Sequence, residues 1–124
     1  MTVLVDTSVW IDHLRKSNDT LIELLHAEQV TCHPFVIGEL ACGGIRNRDV
    51  FLELLSTLPV LIKAEDGEML FFIERHSLMN SGLGLIDVHL LASCMLAGVN
   101  LWTKDKKLAT AAERLECLAS PTIA

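Results

Sequence analysis

Four acidic residues are of a type and spacing that could form one reactive site: Asp6, Glu39, Asp87 and Asp105. Asp6 ends the apolar run of residues 3–5, and a charge at the end of a buried strand costs several kcal/mol unless it is paired. Taken singly, Asp87 and Asp105 fit helix N-caps, and Glu39 fits a solvated helix face. A single shared site explains all four better than separate coincidences do.

Carboxylates that converge cannot all stay ionised without a counter-charge. No lysine or arginine adjoins Asp6, Glu39 or Asp87 in the sequence. A hard divalent cation, Mg²⁺ with Mn²⁺ as a substitute, takes oxygen ligands and retains water and substrate phosphate oxygens. Such a site activates water and stabilises the leaving oxygen in phosphodiester cleavage. Three neighbouring hydroxyls are expected to hydrogen-bond the ligands or a bound water: Thr7, Ser8 and Thr103.

Short apolar runs alternate with helical patterns along the chain. These elements determine where the four acids lie in the fold. The strands are predicted at Thr2–Val5, Val30–His33, Pro59–Ile62 and Val99–Trp102, with a terminal piece near Thr122–Ile123. The helices are predicted at Thr20–Ala27, Phe35–Cys42, Asp49–Leu55, Glu65–Asn80 and Asp87–Leu96. Strands joined by helical crossovers predict an α/β fold of three α/β/α layers, with a central parallel sheet of 4–5 strands flanked by helices. Sites in such folds lie at the carboxyl ends of the strands.

Composition limits the class of protein. The 124 residues predict a single domain, and the net charge of −6 argues against a protein that coats nucleic acid. The four cysteines form no CxxC motif, which favours reduced thiols in a cytoplasmic protein. No segment reaches the ~20 apolar residues of a membrane span. The 51% hydrophobic content therefore predicts an interface with a second copy or a partner.

Four segments together resemble the PIN-domain ribonucleases, specifically the VapC-type toxins of bacterial and archaeal toxin–antitoxin pairs. They are VLVDTSVWID, the helix that carries Glu39 with Gly43 four residues later, GLIDVHLLASCMLAG and LWTKDKKL. Each motif is weak alone, but the four stand in the family's order and the match covers almost the whole chain. Residues 1–124 are therefore expected to form one PIN domain.

The resemblance implies a Mg²⁺-dependent endoribonuclease that acts on structured or single-stranded RNA, with Asp6, Glu39, Asp87 and Asp105 as catalytic and metal-binding residues. It also implies a homodimer, able to join a larger hetero-oligomer, and a cognate antitoxin whose C-terminal segment covers the active-site groove. Residues 69–73 are a candidate antitoxin contact, although core packing also explains most of them. Lys107 takes a position that is acidic in some relatives. The basic residues expected to contact RNA are Arg46, Arg48, Lys104, Lys106 and Lys107.

Other functions fit the residues less well. A haloacid-dehalogenase-like phosphatase needs a second aspartate two residues after the first, where this chain has Ser8. A receiver domain would use a Thr and a Lys near its later strands, as Thr103 and Lys104 stand. It would also need an acidic pair at the first strand and a phosphoacceptor Asp after the third, and this chain supplies neither convincingly. A PIN scaffold used only for binding would be expected to have lost an acid. A housekeeping RNA-processing nuclease without an antitoxin is the remaining alternative.

Overall fold

The computed structural model describes residues 2–121. Three strands are formed: β1 (Val3–Val5), β2 (Val30–Thr31) and β3 (Asn100–Trp102). Seven helices accompany them in the described part of the chain: α1 (Thr7–Arg15), α2 (Asp19–His26), α3 (Pro34–Cys42), α4 (Arg48–Ser56), α5 (Asp66–Arg75), α6 (Leu85–Ala97) and α7 (Lys106–Arg114).

The three strands are parallel and lie in the order β2-β1-β3, so β1 is central. All three residues of β1 are buried, although their side chains point alternately to the two faces. Both faces of the sheet are therefore covered, which confirms the predicted α/β fold with helices around a parallel sheet.

The sheet is narrower than predicted. Its two edges are extended by single parallel bridges, Cys32 to Val60 and Leu101 to Leu118, instead of full strands. The chain leaves the ladder after Leu61, and the carbonyl of Ile62 accepts a hydrogen bond from the Ser93 hydroxyl. The predicted piece at Thr122–Ile123 lies outside the described residues.

Helix α6 runs through the core. Seven consecutive residues, 88–94, are buried, so this helix packs on every side and not along one stripe. The predicted helix at 65–80 is shorter, since α5 ends at Arg75 and Ser77 adopts a left-handed backbone with φ of 53°. Such a conformation cannot continue a right-handed helix.

No helix within residues 2–121 is long and apolar enough to cross a bilayer. The four cysteines are all free thiols, and three of them, Cys32, Cys94 and Cys117, are buried. Burial raises the pKa of Cys32 to about 11, which keeps this thiol protonated and chemically inert at neutral pH.

Candidate active site

Asp6 lies at the carboxyl end of the central strand. Strand pairing sets Val5 opposite Trp102, and the Asp6 amide donates to the Trp102 carbonyl at 2.9 Å. Asp6 is only 6% exposed. It precedes α1 at the N-cap position, yet its side chain makes no capping hydrogen bond. The ordinary capping role therefore does not explain this buried carboxylate.

Two hydroxyls hold the Asp6 side chain. Ser8 Oγ and Thr103 Oγ1 donate to Asp6 Oδ2 at 2.8 and 2.7 Å. The Lys104 amide donates to Ser8 Oγ at 3.0 Å, which fixes the direction of the serine hydroxyl. The residues that follow β1 and β3 thus form one hydrogen-bonded unit around Asp6.

Glu39 projects from the middle of α3 and is exposed. Its Oε1 atom accepts a hydrogen bond from Thr7 Oγ1 at 2.7 Å. Of the three predicted hydroxyls, Thr7 therefore contacts Glu39, whereas Ser8 and Thr103 contact Asp6. This link ties α3 to the first turn of α1.

Asp87 lies in the first turn of α6, where its Oδ2 atom accepts a hydrogen bond from the Gly84 amide at 3.2 Å. Burial raises the pKa of Asp87, and the negative charges of Asp6, Asp105 and Glu39 raise it further, against the lowering effect of the Gly84 hydrogen bond. All four predicted acids thus share one electrostatic environment. Asp87 is the member whose ionised form is opposed by the other three.

Asp105 caps α7, with its Oδ1 atom accepting from the Leu108 amide at 3.0 Å. Its own amide donates to Thr103 Oγ1 at 3.0 Å. The side chain is exposed next to the unit around Asp6. Asp105 therefore has the capping role that its sequence context suggests and also lies beside the other acids.

The donor set matches a hard divalent cation in chemistry, since four carboxylates and three hydroxyls all supply oxygen. The repulsion on Asp87 is also what a bound cation would relieve. Within residues 2–121, however, no three acidic, histidine or cysteine side chains are already gathered around one ion position. A cation bound here would have to draw in the more exposed side chains or bind through water.

The predicted basic residues differ in their surroundings. Lys104 Nζ lies 2.7 Å from Asp12 Oδ2, and this hydrogen bond lowers the pKa of Asp12. Arg48 Nε donates to the Ala41 carbonyl at 3.0 Å. The remaining three are exposed: Arg46, Lys106 and Lys107.

The Lys107 side chain lies against the loop that leads to Asp87. Gly82 in that loop has a positive φ of 81°, and a Cβ atom there would lie 3.2 Å from Lys107 Nζ. The absence of a side chain at Gly82 lets the lysine lie against the loop.

The predicted antitoxin contact divides into core and surface. Met69 is buried with a second apolar cluster, whereas Leu70 and Phe71 are 68% and 70% exposed.

The ion pair of Asp12 with Lys104 was not predicted. The two residues lie 92 positions apart, and no sequence pattern indicates their contact.

The sequence model of the PIN domain family matches residues 3–114, and this chain belongs to that family. Ribonuclease VapC32 of Mycobacterium tuberculosis, from two strains, is 46% identical to it over 110 residues, which are 88% of this chain and 89% of the relative. The resemblance to VapC-type PIN proteins is thereby confirmed.

Solved structures share the fold at low sequence identity. PAE2754 from Pyrobaculum aerophilum superposes with a TM-score of 0.59 and 20% identity, covering 93% of this chain and 86% of that one. FitAcB from Neisseria gonorrhoeae gives 0.57 and 18%, covering 90% and 94%. A structure of FitAB bound to a DNA fragment gives 0.59 and 15%, covering 90% and 91%.

Proposed function

We propose that this protein is a metal-dependent endoribonuclease that cleaves RNA phosphodiester bonds, as the toxin of a VapBC-type pair. The observation that carries the proposal is the convergence of the four acids. Asp6 and Asp105 both hydrogen-bond Thr103, and Thr7, the residue next to Asp6, donates to Glu39. Asp87 lies where the charges of these three acids raise its pKa. The 46% identity to a protein named as a ribonuclease supports the choice of RNA as substrate.

The cation is Mg²⁺, with Mn²⁺ as a substitute, held by Asp6, Glu39, Asp87 and Asp105 directly or through water. When bound, it supplies positive charge against the phosphate oxygens and a more acidic water. Asp6 is the fixed member of this set, because Ser8 and Thr103 hold its Oδ2 atom. Asp87 gains from cation binding, since its ionised form is otherwise opposed by burial and by the charges of the other three acids.

Glu39 is suited to orient the attacking water. It is exposed and supported at one oxygen by Thr7, which leaves the carboxylate accessible to substrate and solvent. Lys107 is placed for a phosphate of the RNA backbone, since it lies against the loop that precedes Asp87. Lys104 is less available for RNA, because its ammonium group pairs with Asp12.

The partners follow from the toxin assignment. A cognate antitoxin covers the surface around the four acids, and the exposed Leu70 and Phe71 are candidate contacts for it. The toxin itself is proposed to form a homodimer in the cytoplasm, alone or within a larger complex with the antitoxin. The free cysteines are compatible with a reducing compartment.

The test is cleavage of RNA by the purified protein with Mg²⁺ and with EDTA, for wild type and for the variants Asp6→Asn and Asp87→Asn. Asp19→Asn is the matched control, because Asp19 is an exposed aspartate in the first turn of α2. We expect Mg²⁺-dependent cleavage in wild type and control and its loss in both site variants. Full cleavage by a folded Asp6→Asn, Asp87→Asn double variant would disprove the assignment.

The antitoxin is tested separately. A small open reading frame next to the gene is expressed together with this chain, and the mixture is analysed by size-exclusion chromatography and by RNA cleavage. A stable complex with suppressed cleavage supports the toxin assignment. An active nuclease with no inhibitory neighbour would favour the housekeeping alternative.

A further inference from the structure

His33 and Ser93 form a buried polar bridge between two helices that carry site acids. His33 is the N-cap residue of α3 and has no exposed surface, and Ser93 lies within α6 and is 1% exposed. The His33 Nε2 atom lies 3.0 Å from Ser93 Oγ. Neither residue contacts a site acid directly, so the site described above does not account for the bridge.

The hydrogen bonds determine the tautomer of His33. The Ser93 hydroxyl donates its only proton to the Ile62 carbonyl at 2.8 Å, so it accepts from His33 Nε2–H. His33 Nδ1 then carries no proton and accepts the Phe35 amide hydrogen at 3.0 Å. Burial, together with the charges of His89 and Lys63, lowers the pKa of His33 to about 4. The neutral Nε2–H form alone satisfies all these contacts.

Each residue of the bridge lies six residues from a site acid on its own helix. Glu39 follows His33 by six residues along α3, and Asp87 precedes Ser93 by six residues along α6. Six residues of helix span about 9 Å. A second contact joins the same helices, because the Phe35 and His89 rings meet edge to face with centroids 4.8 Å apart. A shift at the bridge would therefore change the separation of the two carboxylates.

We propose that neutral His33 is a positioning residue, which acts through Ser93 to set the spacing of Glu39 and Asp87 for the cation. This inference rests on the proposed function. A packed apolar pair could hold the helices together but would lack a directional contact between them. The Phe35 amide fixes the His33 ring to α3, and the hydrogen bond to Ser93 then sets the position of α6 against it.

Two variants break the bridge in different ways. His33→Asn keeps a favourable N-cap that can accept the Phe35 amide, but its shorter side chain cannot also reach Ser93. Ser93→Ala removes the hydroxyl that accepts from His33, together with its hydrogen bond to the Ile62 carbonyl, and retains the Phe35 hydrogen bond of the His33 ring. Ser93→Thr retains the hydroxyl and serves as the conservative rescue. Leu21→Val, in the buried face of α2, is the control for a loss of stability alone.

Four quantities are measured for each variant: the melting temperature, the dissociation constant for Mn²⁺ from the electron paramagnetic resonance signal of the free ion, and kcat and KM for RNA. We expect His33→Asn and Ser93→Ala to bind Mn²⁺ about tenfold more weakly and to lose a similar factor in kcat, with KM retained. Ser93→Thr should recover most of both. Leu21→Val should lower only the melting temperature.

The inference fails if the folded bridge variants equal Leu21→Val in Mn²⁺ affinity and kcat. If His33→Asn does not fold, Ser93→Ala alone decides. The proposed function fails separately, when wild type does not cleave RNA, and the Mn²⁺ comparison then still tests the positioning role. A wild-type protein that neither cleaves RNA nor binds Mn²⁺ would overturn both.

Discussion

The Thr103 hydroxyl donates a 2.7 Å hydrogen bond to Asp6 Oδ2 across the junction of the first and third strands. The same hydroxyl accepts the Asp105 amide at 3.0 Å, so its one proton is committed to Asp6. This single side chain therefore connects a buried site acid to the turn that carries an exposed one. Asp6 is thus oriented by Ser8, two residues away, and by Thr103, 97 residues away along the chain.

Thr103→Val should leave the Asp6 carboxylate with one fewer donor in a buried position. We expect a loss of ~1–3 kcal/mol in the free energy of unfolding and a loss of about 10- to 100-fold in nuclease activity. Thr103→Ser should retain most of both. Thr110→Val is the control, because the exposed Thr110 hydroxyl donates only to the Lys106 carbonyl. Urea unfolding and RNA cleavage measure the effects, and a fully active Thr103→Val would contradict the positioning of Asp6 by this hydroxyl.

Asp87→Asn should raise the melting temperature of the metal-free protein at pH 7. Burial and three neighbouring acids raise the pKa of Asp87, so stability that is present below the unfolded pKa of 3.8 is lost as the pH rises through the folded pKa. A neutral amide avoids that loss and can still accept the Gly84 hydrogen bond. Differential scanning calorimetry in EDTA provides the comparison, and a lower melting temperature would mean that the charge of Asp87 stabilises the fold.

Asp6→Asn should lower the melting temperature of the metal-free protein, the opposite of the effect of Asp87→Asn. Two hydroxyls donate to Asp6 Oδ2, and an amide oxygen is a weaker acceptor than a carboxylate. We expect a loss of about 1 kcal/mol in the metal-free protein. The same calorimetry in EDTA measures it. Stabilisation by Asp6→Asn would show that repulsion among the acids outweighs the two hydrogen bonds.

Much of the fold follows from local sequence patterns. Apolar runs predict the strands because both faces of the sheet are covered. Asp6, directly after the first run, marks the carboxyl end of the central strand. The end of α5 and the reduction of the predicted strand at 59–62 do not follow from these patterns. They depend on the left-handed backbone at Ser77 and on the contact of the Ile62 carbonyl with Ser93, which arise from tertiary packing.

The candidate site shows the same division. The four acids could be selected from the sequence because Asp6 has no ordinary role after a buried strand, and a single shared site explains it together with the other three. The three hydroxyls were also predicted as partners of the acids, but the acid that each one contacts was not. Thr7 and Ser8 are adjacent and equivalent in sequence, yet they contact different acids, Glu39 and Asp6. Likewise the pairing of Lys104 with Asp12 depends on how the turn after β3 meets α1.

Low pH should destabilise the protein, because His33 is buried in its neutral form. Its folded pKa is about 4, against 6.5 for an ordinary histidine. The unfolded chain therefore takes up a proton between these values while the folded protein does not, and the free energy of unfolding falls as the pH falls through this window. The loss approaches ~3 kcal/mol at its acid end.

Urea unfolding at stepped pH measures this loss, and His33→Asn removes the contribution. His76 and His89 also have lowered pKa values, so the test is the difference between wild type and His33→Asn. Parallel pH profiles for the two proteins would contradict a buried neutral His33.

Lys107→Gln should weaken RNA binding more than Lys104→Gln does. Lys107 lies against the loop before Asp87, whereas the Lys104 ammonium is already paired with Asp12 at 2.7 Å. A lysine that contacts one phosphate contributes about one unit to the salt dependence of binding. We therefore expect Lys107→Gln to raise KM at low salt and to reduce the slope of log KM against log salt by about one.

The control is Lys16→Gln, an exposed lysine after α1 that lies outside the candidate site. It should alter neither KM nor the salt slope beyond the small effect of net charge. Lys104→Gln should fall between the two, because losing the ion pair to Asp12 also disturbs the turn that holds Ser8. Equal slopes for Lys107→Gln and Lys16→Gln would mean that RNA approaches the acids from another side, and Arg46 and Lys106 would be the next residues to test.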